Sequence, residues 1–157
     1  MAENLNCDIA DSRCYDDDPS NCGRYGRLYN WETAMSVCPS GWHLPSETDW
    51  EKLMDYVEND SGCSEWSAAK HFQSVSGWNE DYVSGGGGED TYGFSALPGG
   101  LGRHPNFINV GISGYWWSSY EVNIVSDNMA LAWYVNDLAG LGVYYKNELL
   151  SVRCVQD

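Results

Sequence analysis

The sequence predicts an α+β fold with helices early and an antiparallel sheet late, on three observations. Apolar residues recur at helical spacing between Asn30 and Asn59. Glycine and serine break the pattern from about residue 74, and short aromatic and β-branched runs fill the chain after residue 114. At 157 residues the chain has the size of one ordinary domain and is long enough to bury a core, so a single domain over 1–157 is expected.

The elements follow in order. The N-terminal third is polar and rich in turns, and "CYDDDPSNC" closes a short loop if Cys14 pairs with Cys22. In "NWETAMSVC" Trp31, Ala34, Met35 and Cys38 fall at helical spacing with Asn30 placed to cap, which predicts a short helix. In "SETDWEKLMDYVEN" Trp50, Leu53, Met54 and Val57 lie at i, i+3, i+4 and i+7 and predict a second helix. Ser46 and Asp49 have the spacing of a capping box, and Pro45 discourages an earlier start. "SGWNEDYVSGGGGEDTYGF" is too rich in glycine for a helix and reads as a long loop. After it, "YWWSSYE", "MALAWYV", "LGVYYK" and "LLSVRCV" read as strands separated by turns.

Eight Lys and Arg stand against twenty-three Asp and Glu, a formal charge of -15 that repels both a phosphate backbone and an anionic leaflet. Nucleic acid is therefore not an expected partner, and no apolar run is long enough to span a membrane. Six cysteines, with no C-x-x-C pair and no His at zinc-ligand spacing, favour disulfides and an oxidising compartment. The opening "MAENLNCDIADSRC" has no signal-peptide pattern, so it is expected that either an export signal has been removed or the domain is excised from a longer exported protein.

Six phrases in order, "MAENLN", "CYDDDPSNCGRYGRLYNW", "VCPSGWHLPSETDW", "YGFSALPGG", "WWSS" and "SVRCV", resemble the Fibrobacter succinogenes major paralogous domain. That resemblance implies export on bacterial lipoproteins or surface proteins. It also implies a C-type lectin-like fold, related to the formylglycine-generating-enzyme group, with two helices, long loops and a twisted antiparallel sheet. The same fold implies a bridge from a helix to the last strand, which here maps onto Cys38 and Cys154. With those assigned, Cys7 and Cys63 remain and are expected to pair as a third disulfide, although cysteine count alone allows other connectivities.

His43, between Trp42 and Leu44 at the entry to a capped helix, reads as scaffold rather than as a metal or acid–base group. Asp16, Asp17 and Asp18, with Glu89 and Asp90, are candidate ligands for calcium, with simple solvation as the alternative. "HPN" at His104 to Asn106 and "WYVND" at Trp133 to Asp137 only partly echo the calcium and sugar motifs of C-type lectins, a histidine standing where a carboxylate is needed. The cysteine pair of the formylglycine-generating enzymes has no expected counterpart if all six cysteines are bridged. Gly85 to Gly88 lacks the Lys and Ser/Thr of a phosphate loop.

Alternation along "MALAWYVND" puts Met129, Leu131, Trp133 and Val135 on a core face and Ala130, Ala132, Tyr134 and Asn136 on the other. Adjacent Trp116 and Trp117 should point opposite ways. The second face, with Tyr120, Asn123, Leu138, Tyr144, Tyr145 and Asn147, is expected to form an outward surface of rings and amides suited to recognition. The resemblance places ligand binding there too, since variable ligand-binding relatives present their sites from this C-terminal region. The expected function is non-enzymatic binding of a protein or glycan outside the bacterial cell, by a domain that is monomeric on its own. The alternatives are a structural spacer in a surface assembly and, behind it, a carbohydrate-active enzyme with paired carboxylates.

Overall fold

A computed structural model describes residues 3–62, 65–82, 86–123 and 128–157. Strand β1 (Ser12–Arg13) pairs antiparallel with β2 (Leu28–Tyr29) around a 3-10 turn (Tyr15–Asp17) and helix α1 (Pro19–Tyr25). Helix α1 has no apolar periodicity. It is started by Pro19 and by the Asp18 side chain, which accepts from the Ser20 N–H, and it is fastened by the Cys14–Cys22 disulfide.

Helix α2 (Trp31–Val37) is capped as expected, the Asn30 side chain accepting from the Thr33 N–H at 2.9 Å. Strand β3 (Trp42–His43) follows and pairs antiparallel with β9 (Val155–Gln156). Helix α3 (Glu47–Ser61) begins with the full capping box of Ser46 and Asp49 and ends at Gly62, whose φ of +66° suits glycine. Helix α4 (Glu65–Phe72) was not foreseen, so four α-helices are described instead of two.

The described residues of the glycine-rich stretch are coil, as expected, and lead into a hairpin, β4 (Gly99–Arg103) and β5 (Asn106–Val110), that the sequence hid under "GGLGR". Gly100 explains the composition: its φ is +65°, and a Cβ there would meet the Ile108 carbonyl oxygen at 2.4 Å. The three-stranded sheet β6 (Gly114–Val122), β7 (Met129–Val135) and β8 (Ala139–Tyr145) runs in that order, all antiparallel. "LLSVRCV" forms isolated bridges, not the expected full strand, and only its end joins β9.

Both faces of this sheet are covered. Trp116, Trp133 and Val135 pack with Trp50, Val57, Ala68 and Phe72 of α3 and α4. Trp117, Ala130 and Ala132 pack on the other side with Tyr29, Trp31, Leu101 and Leu150. The adjacent tryptophans do point opposite ways, and both are core. The expectation that Ala130 and Ala132 face outward is corrected, because chain from the N-terminal half and the β4 hairpin closes over them.

Disulfides join Cys14 to Cys22 and Cys38 to Cys154, the second tying the end of α2 to the segment before β9. The third expected bridge is not seen. Cys7 is a free, exposed cysteine on the N-terminal segment beside Tyr29, and Cys63 lies outside the described residues. The premise that no thiol is left over is corrected with it.

Candidate functional site

The expected binding residues divide into three groups. Tyr120, on β6 where its pairing with β7 slips between Trp117 and Glu121, is 48% exposed, and Tyr145 at the end of β8 is 52% exposed. Asn123 and Asn147 are exposed as well. Asn136 and Leu138 instead build the turn between β7 and β8. The Asn136 Oδ1 accepts from the Leu138 N–H at 2.8 Å, and its carbonyl accepts from Gln73 Nε2 at 2.6 Å.

Tyr134 and Tyr144 are corrected from surface to half-buried, packed against the core on the Ala132 side. For Tyr144 the cause is local. Gly142 on β8 leaves room for the Tyr144 ring, since a Cβ there would come within 2.9 Å of it, whereas a Cβ on Gly140 would make only ordinary contact with Tyr134. Tyr144 also meets Tyr115 edge-on at 5.5 Å, and burial pushes its hydroxyl pKa well above the ordinary value of 10.0.

Only some of the exposed residues converge. Tyr145 and Asn147 line a cavity of about 500 Å³ together with Arg103, His104, Asn128 and Glu148. A neighbouring hollow of about 230 Å³ shares Arg103, His104 and Asn147 and adds Asn30, Asn106 and Phe107. The cleft thus lies between the β4–β5 turn and the turn after β8. Tyr120, Asn123 and Asn136 are not among the residues that line either hollow.

Two close contacts hold the cleft together. Gly102 and Leu149 exchange backbone hydrogen bonds at 2.9 Å each, an approach open to glycine because a Cβ on Gly102 would sit 3.0 Å from the Leu149 side chain. Buried Glu148 then accepts from Arg103 Nε and from the Tyr145 N–H at 3.1 Å. Its carboxylate is thus spent on holding hairpin and turn in register. Sequence reading flagged His104, Asn106, Tyr145 and Asn147 but missed Arg103 and Glu148, a pair 45 residues apart with no spacing signature. The surface offers amides, a guanidinium, an imidazole and a half-exposed phenol ring, donors and acceptors suited to reading hydroxyls and peptide groups.

Of the candidate calcium ligands, Asp16 is exposed, Glu89 lies 3.5 Å from His71, and the other three have partners within the chain. Arg13 pairs with Asp17, Asp18 caps α1, and Asp90 accepts from the N–H and hydroxyl of Ser95. Among the described residues no group of three or more His, Cys, Asp or Glu is placed to hold a metal ion. His43 is exposed at the helix entry, Nδ1 bonding Asp157 at 2.7 Å and Nε2 lying 3.4 Å from the capping Asp49. No helix among the described residues is long and apolar enough to cross a membrane.

Fold and site together define a disulfide-tied α+β domain with a polar, aromatic-edged cleft. The model of the Fibrobacter succinogenes major domain matches residues 1–156, and the chain belongs to that family. No curated protein and no solved structure matches the chain.

Proposed function

We propose that this domain is a non-enzymatic recognition module, displayed outside the bacterial cell, that binds a protein or glycan ligand in the cleft lined by Arg103, His104, Tyr145 and Asn147. The observation that carries the reading is the convergence of exposed amides, a guanidinium and a tyrosine ring on one hollow of about 500 Å³. The two disulfides support an oxidising, extracellular setting. A relationship to C-type lectin-like domains, and through them to the formylglycine-generating-enzyme group, is part of the proposal. Its support is the Cys38–Cys154 bridge from a helix to the closing segment and the pairing of β3 with β9. No catalytic group is assigned.

The test is binding to an array of defined glycans and surface peptides. The wild-type domain should bind a subset, and Tyr145→Ala with Asn147→Ala should lose at least about tenfold in affinity with unchanged thermal unfolding. Undiminished binding by that variant would overturn the site. The second reading, a structural spacer, is favoured by the packing of Tyr134 and Tyr144 into the core, which removes half of the expected tyrosine surface. Silence across the whole array would decide for the spacer.

A further inference from the structure

Arg153 lies in the coil between Val152 and Cys154 and is only 3% exposed. Its guanidinium stands 4.1 Å from the centroid of the Phe94 ring and 5.6 Å from that of Trp116. Nε donates to Asn4 Oδ1 at 2.8 Å, Nη2 to the Ser95 carbonyl at 2.9 Å, and Nη1 to the Phe94 carbonyl. A guanidinium has five N–H donors, so two are left over from these three bonds.

No carboxylate among the described residues lies within ion-pair distance of it. Arginine is almost never buried to this degree unpaired, because carbonyl dipoles and ring faces offset only part of the lost hydration. The cost is visible in its pKa, which burial pulls down from 12.5 to about 10 although the charges of Asp90 and Glu3, acting from beyond contact, oppose the shift. Acids are not scarce in a chain with twenty-three of them. The nearest ones are simply placed elsewhere, Asp90 being turned to Ser95.

This guanidinium lines a cavity of about 470 Å³ between the N-terminal segment, the end of α1 and the coil leading to β4. Glu3, Asn4, Asn6, Arg24 and Ser95 contribute to its wall. Arg24 is exposed and lies over the Tyr25 ring at 5.0 Å, in no ion pair among the described residues. The wall carries two arginines and one glutamate, and the Asp90 carboxylate also acts on Arg153 through space without contacting it, so neither arginine has a close ion-pair partner among the described residues. None of these residues lines the cleft beside Tyr145, so the hollow stands independently of the function proposed above.

We propose that this cavity is a binding site for a small monocarboxylate, its anionic head held by Arg153 and Arg24 and its polar remainder met by the amide of Asn6. A carboxylate would supply, at the buried end, the contacting acid that Arg153 lacks among the described residues. The planar pair of carboxylate oxygens suits the guanidinium fork better than tetrahedral sulfate does.

The experiment is a titration of the isotope-labelled protein followed through the Arg153 and Arg24 Nε–H resonances, at constant ionic strength. The probes are sodium glucuronate, glucose, which is the same sugar without the carboxylate, and sodium sulfate. Glucuronate should give saturable shifts at both resonances, glucose none, and sulfate a weaker response. Arg24→Gln, a change at an exposed position, should weaken glucuronate binding by about tenfold through loss of one charge-assisted contact. Arg153→Lys keeps the charge but not the fork and should weaken it too, with Arg24→Gln standing as the test if that variant does not fold. Shifts that grow linearly without saturating, equal shifts from glucose, tighter binding of sulfate, or unchanged affinity in Arg24→Gln would each overturn the site.

Discussion

Gly114, the first residue of β6, has no space for a side chain. A Cβ there would meet the Trp116 ring at 2.3 Å and the Leu97 carbonyl at 2.5 Å, and neither buried ring nor backbone can retreat. Gly114→Ala should therefore cost roughly 3 kcal/mol of stability, measured by denaturant unfolding, and a change below about 1 kcal/mol would contradict this packing. His43 makes a subtler case. Its hydrogen bond to Asp157, with a further contribution from Asp49, raises its pKa above the ordinary 6.5, burial opposing. A group whose pKa rises on folding stabilises the protein fully below its unfolded value and loses that contribution as pH climbs through the folded one. Asp157→Asn should thus destabilise more at about pH 5.5 than at about pH 8, and the His43 pKa read by NMR should fall toward 6.5 in that variant. An unchanged His43 titration would show that the Asp157 contact does not form. At this scale the sequence was informative about the Ser46–Asp49 cap, whose partners lie three residues apart, but not about the bond of His43 to Asp157, 114 residues away. It was silent about Arg153 and the Arg103–Glu148 pair, whose partners are distant in sequence.

Helix α3 was legible because fifteen residues carry one apolar stripe and one cap, signals that add up over four turns. Helix α1 was not, since seven residues held by a disulfide and a proline start have no stripe to read. The β4–β5 hairpin was missed for a similar reason: its glycines serve close backbone approach and so erase strand propensity from the sequence. The two bridges also differ at the level of elements. Cys14–Cys22 spans 8 residues and Cys38–Cys154 spans 116, which in the chain-entropy picture corresponds to about 2.5 and about 5 kcal/mol. Replacing Cys38 and Cys154 with Ala should lower the unfolding midpoint more than replacing Cys14 and Cys22. The reverse order would mean that α1 organises more of the fold than its length suggests.

Among the described residues every acid but Glu148 is at least partly exposed, and a formal charge of -15 opposes compaction. Raising ionic strength from about 0.01 M to about 0.15 M shortens the screening length from about 30 Å to about 8 Å and should raise Tm by a few degrees. A Tm that falls with salt would show that ion pairs such as Arg13–Asp17 and Lys146–Glu121 outweigh the general repulsion. By itself the sequence determined the mixed α+β class, the capped helices α2 and α3, the glycine-rich coil and the three central strands, because periodicity and capping act over a few residues. It also placed Trp116 and Trp117 on opposite faces. Tertiary structure alone decided what covers each face. Alternation defines two sides of β7 but cannot say that Tyr29, Leu101 and Leu150 will close over Ala130 and Ala132, or that Gly142 will let Tyr144 fold inward. That decision narrowed the broad aromatic surface read from the sequence to one cleft at Tyr145 and Asn147, where two turns distant in the chain meet.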